Sequence, residues 1–165
     1  MRALFLFVAV AACDTGAKPA PPPPPPTAEP PAPKLTVHMK RTRCYGSCPA
    51  YEVTIASDGS VRFVGEEFVT VDQATGHISR DQLRALSQLI DAAHFFELHD
   101  RYVDAGCKSV WTDSPTTTID ITRDGRKKSI ERYHGCEGAP LELDELANSI
   151  DLIAGTAPWV GPRHD

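Results

Sequence analysis

The chain has 165 residues, 24% of them charged, and a net charge of −5 at neutral pH. That length suits one domain with appended segments. An acidic chain whose densest basic run is Arg126-Lys127-Lys128 is excluded as an electrostatic nucleic-acid binder, and that run reads as a solvated hairpin tip that keeps a sheet edge soluble.

In chain order, Met1-Arg2 carries a positive charge and Ala3 to Ala12 is an unbroken apolar run. The run is too short to span a bilayer, which takes about 20 residues, but suits the apolar region of a signal peptide. It ends in Val10-Ala11-Ala12-Cys13, which resembles the lipobox of bacterial lipoproteins. The resemblance implies cleavage after residue 12, lipidation of Cys13 (diacylglycerol plus an amide-linked acyl chain such as palmitate) and attachment to a membrane. From Lys18 to Pro33 the chain is almost all Pro and Ala, with Pro21 to Pro26 unbroken. Such a segment cannot bury a core and favours extended polyproline II, so residues 13–34 are expected to form a tether reaching up to ~60 Å.

Residues 35–165 are expected to form a single α+β domain. Leu35, Val37 and Met39 alternate with polar residues at strand period, as do Tyr51, Val53 and Ile55. Ser57-Asp58-Gly59-Ser60 signals a hairpin leading to Val61 and Phe63, and Phe68 to Val71 reads as a further short strand. Ser79 and Gln82 make a capping box, with Ile78 and Leu83 as a staple. Leu83, Leu86, Ile90 and Ala93 then form a helical apolar stripe that His94 is expected to pack beside. Thr117, Ile119 and Ile121 make a strand, Asp124-Gly125 a turn, and Lys127 to Tyr133 the return. A last helix begins with Pro140 near its first turn, buries Leu143, Leu146, Ile150 and Ile153, and stops at Gly155. Together these predict a mostly antiparallel sheet of about five to six strands with two helices packed on one face.

Apart from Cys13 there are four cysteines, Cys44, Cys48, Cys107 and Cys136. An even number in an exported domain argues for two disulfides, and four cysteines allow three pairings. Cys44 can close on Cys48 across a Gly46 bend, which leaves Cys107 for Cys136. The longer loop would then contribute about 3.5 kcal/mol and the shorter about 2 kcal/mol by the chain-entropy model.

The stretch Cys44-Tyr45-Gly46-Ser47-Cys48-Pro49-Ala50-Tyr51 is similar to the C-x-G-x-C-P-x-Y opening of a domain-of-unknown-function family in exported bacterial proteins. The similarity continues through Asp58-Gly59, Asp100-x-Tyr102, Thr112 to Thr116, Gly138-Ala139-Pro140, Ile150-Asp151 and Gly155-Thr156-x-x-Trp159. It implies an envelope location and transfers no catalytic residue.

No G-x-S-x-G, H-E-x-x-H or phosphate-loop motif is present. The expected function is that of a non-enzymatic binding or scaffolding lipoprotein of the bacterial cell envelope, facing the periplasm or exterior, with no cofactor. Its expected partners are the membrane, through the lipid, and an envelope protein or cell-wall component. Trp111 is expected to cover the core beside the Cys107 bridge; were it exposed, it would form a binding surface with Asp113 and Tyr102. The alternative is a periplasmic thiol-redox or copper-handling protein. Cys-x-x-x-Cys-Pro also resembles the copper motif of cytochrome-oxidase assembly proteins, where two thiolates and a distant His bind the metal, here Cys44, Cys48 and His134.

Overall fold

The computed structural model describes residues 33–162. The expected signal segment 1–12, Cys13 and the expected tether as far as residue 32 lie outside the described residues.

Strand β1 (Leu35–Arg41) is the spine of the sheet. It pairs antiparallel with β2 (Ala50–Ile55) on one side and β6 (Thr116–Arg123) on the other. β2 continues to β3 (Ser60–Glu67) and β4 (Gln73–His77), and β6 to β7 (Arg126–Tyr133). The seven strands run β4-β3-β2-β1-β6-β7-β5. The two-residue β5 (Arg101–Tyr102) lies parallel to β7 and makes the sheet mixed. Register explains the core. Val37 faces Ile55 and Ile121, Met39 faces Val53 and Ile119, and all are buried on the same face. The opposite face carries His38, Lys40, Glu52, Thr54, Thr118 and Asp120.

Helices α1 (Arg80–Ala92) and α2 (Leu141–Ala154) cover the apolar face through Leu83, Leu86 and Ile90 and through Leu143, Leu146 and Ile150. Each fully buried side chain of this size contributes about 1.5–3 kcal/mol. The capping box of α1 forms in both directions, Gln82 N–H to Ser79 Oγ at 3.2 Å and Ser79 N–H to Gln82 Oε1 at 2.9 Å. α2 ends at Gly155 in the left-handed region (φ 71°).

Three expectations need correction. The stretch 68–71 is a connection, not a strand. Phe68 turns out of the sheet with φ 53°, and the N–H groups of Thr70 and Val71 both bond to the carbonyl of Trp159. The strand there is β4, Gln73-Ala74-Thr75-Gly76-His77, which has no apolar alternation to betray it. A short third helix, α3 (Ala157–Val160), follows α2 and lays Trp159 5.5 Å from Phe63, whose ring is 5.2 Å from Tyr51. His94 does not pack: it ends the first helical segment at φ 49° and stands exposed beside Glu97.

Gly59 shows why the β2–β3 turn is written as Asp-Gly. Its φ is +88°, and a Cβ would lie 2.4 Å from the carbonyl oxygen of Ile78, the residue that leads into α1. Gly59→Ala is therefore expected to cost about 2 kcal/mol or more of unfolding free energy in urea titration. A change below about 0.5 kcal/mol would contradict the crowding.

Candidate functional site

Among the described residues the buried polar side chains, Thr117, Arg132 and Thr156, gather at one pole of the sheet, where β1 and β7 end and β2 and β6 begin. On the core face the row after Met39 is polar: Tyr51, Arg41, Thr117 and Arg132 lie side by side on four adjacent strands. Opposite this row, α2 presents Asp144, Asn148 and Asp151, spaced four and three residues apart and so on one helical face.

Asp151 collects the row. Its Oδ2 accepts from Arg41 Nε at 3.0 Å and Nη2 at 2.8 Å. Its Oδ1 accepts from the Tyr51 hydroxyl at 2.8 Å and the Thr156 hydroxyl at 3.0 Å. Burial, reinforced by the Asp151 charge, pushes the Tyr51 phenol well above its ordinary pKa, so it stays a donor. Beside it, Arg132 pairs with Asp144 at 3.2 Å and donates to the Cys136 carbonyl, also at 3.2 Å. His134 lies between Thr117 Oγ1, 2.7 Å from its Nε2, and Asp144 Oδ1, 3.6 Å from its Nδ1.

A hydroxyl, an imidazole and a carboxylate in that order can activate a nucleophile. Here they do not form such a device. Thr117 is only 2% exposed, and Arg41 Nη1 lies 3.3 Å from the same oxygen, so a substrate carbonyl has no approach. A cleft of about 300 Å³ lies alongside, floored by Arg41, Tyr51 and Asp151 and walled by Pro49, Thr156 and Val160. Its charges are already paired with each other.

Two stapled loops sit above this network. Cys44 joins Cys48 with Cα atoms 5.5 Å apart, and Cys107 joins Cys136 at 5.2 Å, both within disulfide reach. The loops touch, since Tyr45 N–H donates to the Asp113 carbonyl at 3.1 Å. They hold three apolar side chains out to solvent: Tyr45 is 89% exposed, Trp111 70% and Val110 50%.

A family model described as a domain of unknown function, DUF6438, matches residues 35–154. The chain belongs to the DUF6438 family. No curated protein matches it. In this DUF6438 domain three of the stretches singled out in the sequence meet at the one pole, while Asp58-Gly59 turns the chain at the opposite end of β2. The Cys44–Cys48 loop and Tyr51 come from the first, Asp151 from Ile150-Asp151, and Thr156 and Trp159 from the last.

The expected binding residues are only partly brought together. Trp111 does not cover the core. Its N–H donates to the Gly135 carbonyl and its carbonyl accepts from the Tyr133 hydroxyl, both at 2.8 Å, and this backbone clamp turns the indole outward. A Cβ on Gly135 would sit 2.0 Å from that carbonyl oxygen, which explains the glycine. Asp113 lies in the same loop in the left-handed region (φ 68°), held to Tyr45. Tyr102 is elsewhere, half-buried on β5, its hydroxyl accepting from His99 N–H at 3.1 Å. The alternative copper set is committed differently: Cys44 and Cys48 are joined to each other, and His134 faces Thr117 and Asp144. Among the described residues no group of three or more His, Cys, Asp or Glu side chains is placed to hold a metal ion.

The exposure of Tyr45 and the Arg41–Asp151 and Arg132–Asp144 pairs were not expected from the sequence. Their signal was parity: Arg41 and Arg132 fall on the inward positions of β1 and β7, where apolar residues precede them.

Burial lowers the pKa of His134 from its ordinary 6.5; the Asp144 carboxylate opposes this less strongly, and Arg132 and Arg41 add to the lowering. The unfolded chain therefore binds the proton more readily than the folded one. The associated stability is present above about pH 6.5 and is lost as pH falls toward the folded pKa. In urea titrations at pH 7.5 and 5.5, wild type should lose stability that a His134→Gln variant does not lose. Parallel pH dependence in the two proteins would contradict this.

Proposed function

We propose that the chain is a membrane-anchored lipoprotein of the bacterial cell envelope, attached through Cys13 and acting as a non-enzymatic binding or scaffolding module. The observation that carries the binding half is the exposure of Tyr45, Trp111 and Val110 together on two disulfide-stapled loops. Exposed apolar residues on rigid loops need no ordering on contact, so little binding energy is lost to immobilising them.

The direction of the chain supports the anchored half. The chain enters the domain at Leu35, where Lys34 bonds to Asp124, and β1 then runs seven residues away from that point. At ~3.3 Å per residue this sets the aromatic pole roughly 20 Å or more beyond the tether. In this reading the attachment is the lipid on Cys13. The partner is an envelope protein or cell-wall component reached from the membrane.

Two measurements test the proposal together. Metabolic labelling with a clickable fatty acid should tag the wild type and leave Cys13→Ser unlabelled. In cells, a photo-crosslinking residue at position 45 or 111 should give a discrete adduct that one at position 124, at the entry pole, does not. Equal labelling of both proteins would end the lipoprotein reading. Equal crosslinking at both poles, or none at either, would end the assignment of the aromatic pole.

A further inference from the structure

Far from the aromatic residues, the outer edge of β7 is only partly covered. β5 lies opposite Glu131 and Arg132 and nothing else. The Asp124-Gly125 turn, with φ values of 49° and 84°, is a two-residue hairpin loop closed by Arg123 and Arg126. The ladder alternates from that hydrogen-bonded pair, so Lys128, Ile130 and Arg132 bond inward to β6, while the N–H and C=O of Lys127, Ser129 and Glu131 point away. The bond from Glu131 N–H to the Asp100 carbonyl, at 2.9 Å, confirms the parity. Lys127 and Ser129 thus present strand donors and acceptors along an open groove of about 700 Å³.

The groove's charge is opposite to the chain's. Arg101, Arg126, Lys127 and Lys128 line it against Asp100 and Glu131, a surplus of two positive charges on a chain of net −5. Lys128 is held by Asp100 at 2.7 Å and Arg101 by Glu131 at 3.5 Å. Arg126 instead lies over the Phe96 ring, 4.4 Å from its centre, and neither it nor Lys127 has a carboxylate partner among the described residues.

We propose that this edge accepts an extended acidic peptide segment of another protein as an added strand. The segment bonds through its backbone to Lys127 and Ser129 and through its carboxylates to Arg126 and Lys127. Strand addition supplies affinity through main-chain bonds and selectivity through the flanking side chains. A second copy of this chain is disfavoured at the edge, because pairing two β7 strands would bring Arg126-Lys127-Lys128 against themselves. An anionic surface would use the charges but not the backbone. The proposal does not rest on the lipid anchor or on the aromatic pole, and it fails separately from them.

The test uses full-length protein in detergent and fluorescence anisotropy with a fluorescein-labelled Glu-Glu-Val-Glu-Glu-Val peptide, which as a strand carries carboxylates on both faces. Saturable binding is expected, weaker by about tenfold or more for the analogue with Lys in place of every Glu and for a peptide N-methylated at every residue, each lacking one of the two required contacts. Ser129→Pro removes the outward N–H while leaving the β6–β7 ladder, since Ser129 does not donate to β6. It should weaken the parent peptide by a similar factor at unchanged melting temperature, whereas Ser129→Ala should not. Absence of saturable binding would overturn the proposal and return Arg126-Lys127-Lys128 to the role of keeping an edge soluble. Equal binding of the N-methylated and parent peptides would also overturn it, leaving charge alone. If Ser129→Pro does not fold, the N-methylated peptide on wild-type protein decides the question.

Discussion

Asp151 stands where helix electrostatics disfavour it. It lies in the last turn of α2, whose C-terminal end carries partial negative charge, and that turn has no basic residue of its own. The carboxylate is held there by Arg41, Tyr51 and Thr156, donors from two strands and from the chain beyond the helix. The rest of the pole depends on this arrangement. Arg41 and Tyr51 close the apolar rows of β1 and β2 without leaving a buried charge unpaired. Thr156 sets the chain direction after Gly155. The following turn then carries Trp159 to Phe63, and its carbonyl takes the N–H groups of Thr70 and Val71. One side chain thus ties the end of α2 to the sheet and, through α3, to the connection before β4.

The loops above Asp151 have almost no core of their own. The 103–115 segment is largely exposed and contributes no residue to the main buried cluster. Cys107–Cys136 and Cys44–Cys48 replace the missing burial by restricting the unfolded chain. Tyr45 and Trp111 can therefore stand in water while their backbones stay fixed. The open face of the sheet is handled differently, by a charge ladder. Lys40 is paired with Glu52 and Glu66 at 2.8 and 2.7 Å, its pKa pushed up to about 12 by those carboxylates, and the Glu52 carboxyl is held below its ordinary range chiefly by Lys40. On so exposed a surface the ladder contributes little stability.

Much of this was legible in the sequence, because periodicity reports burial. The inward residues of β1, β2 and β6, both apolar helix stripes, the Ser79 capping box and the Asp124-Gly125 turn all follow from spacing. Elements without a pattern were illegible. β4 presents no apolar alternation, and β5 is too short to have any. Trp111 misled because composition places a large aromatic residue inside, whereas backbone bonds to Gly135 and Tyr133 turn it outward. The polar row of the site was hidden for a related reason. Arg41 and Arg132 occupy core-facing positions, and the carboxylates that pair their charges, Asp151 and Asp144, lie on α2, a separate element that strand spacing cannot pair with them.

Asp151 holds the pole that carries the exposed aromatic loops. Native-state hydrogen exchange on Asp151→Asn tests this most directly. The amides of residues 42–51, the Thr70 and Val71 amides bonded to Trp159, and α3 should lose protection together, while the β6–β7 hairpin near Asp124 keeps its own. Unchanged protection at Thr70 and Val71, or an equal loss at both poles, would contradict the claim.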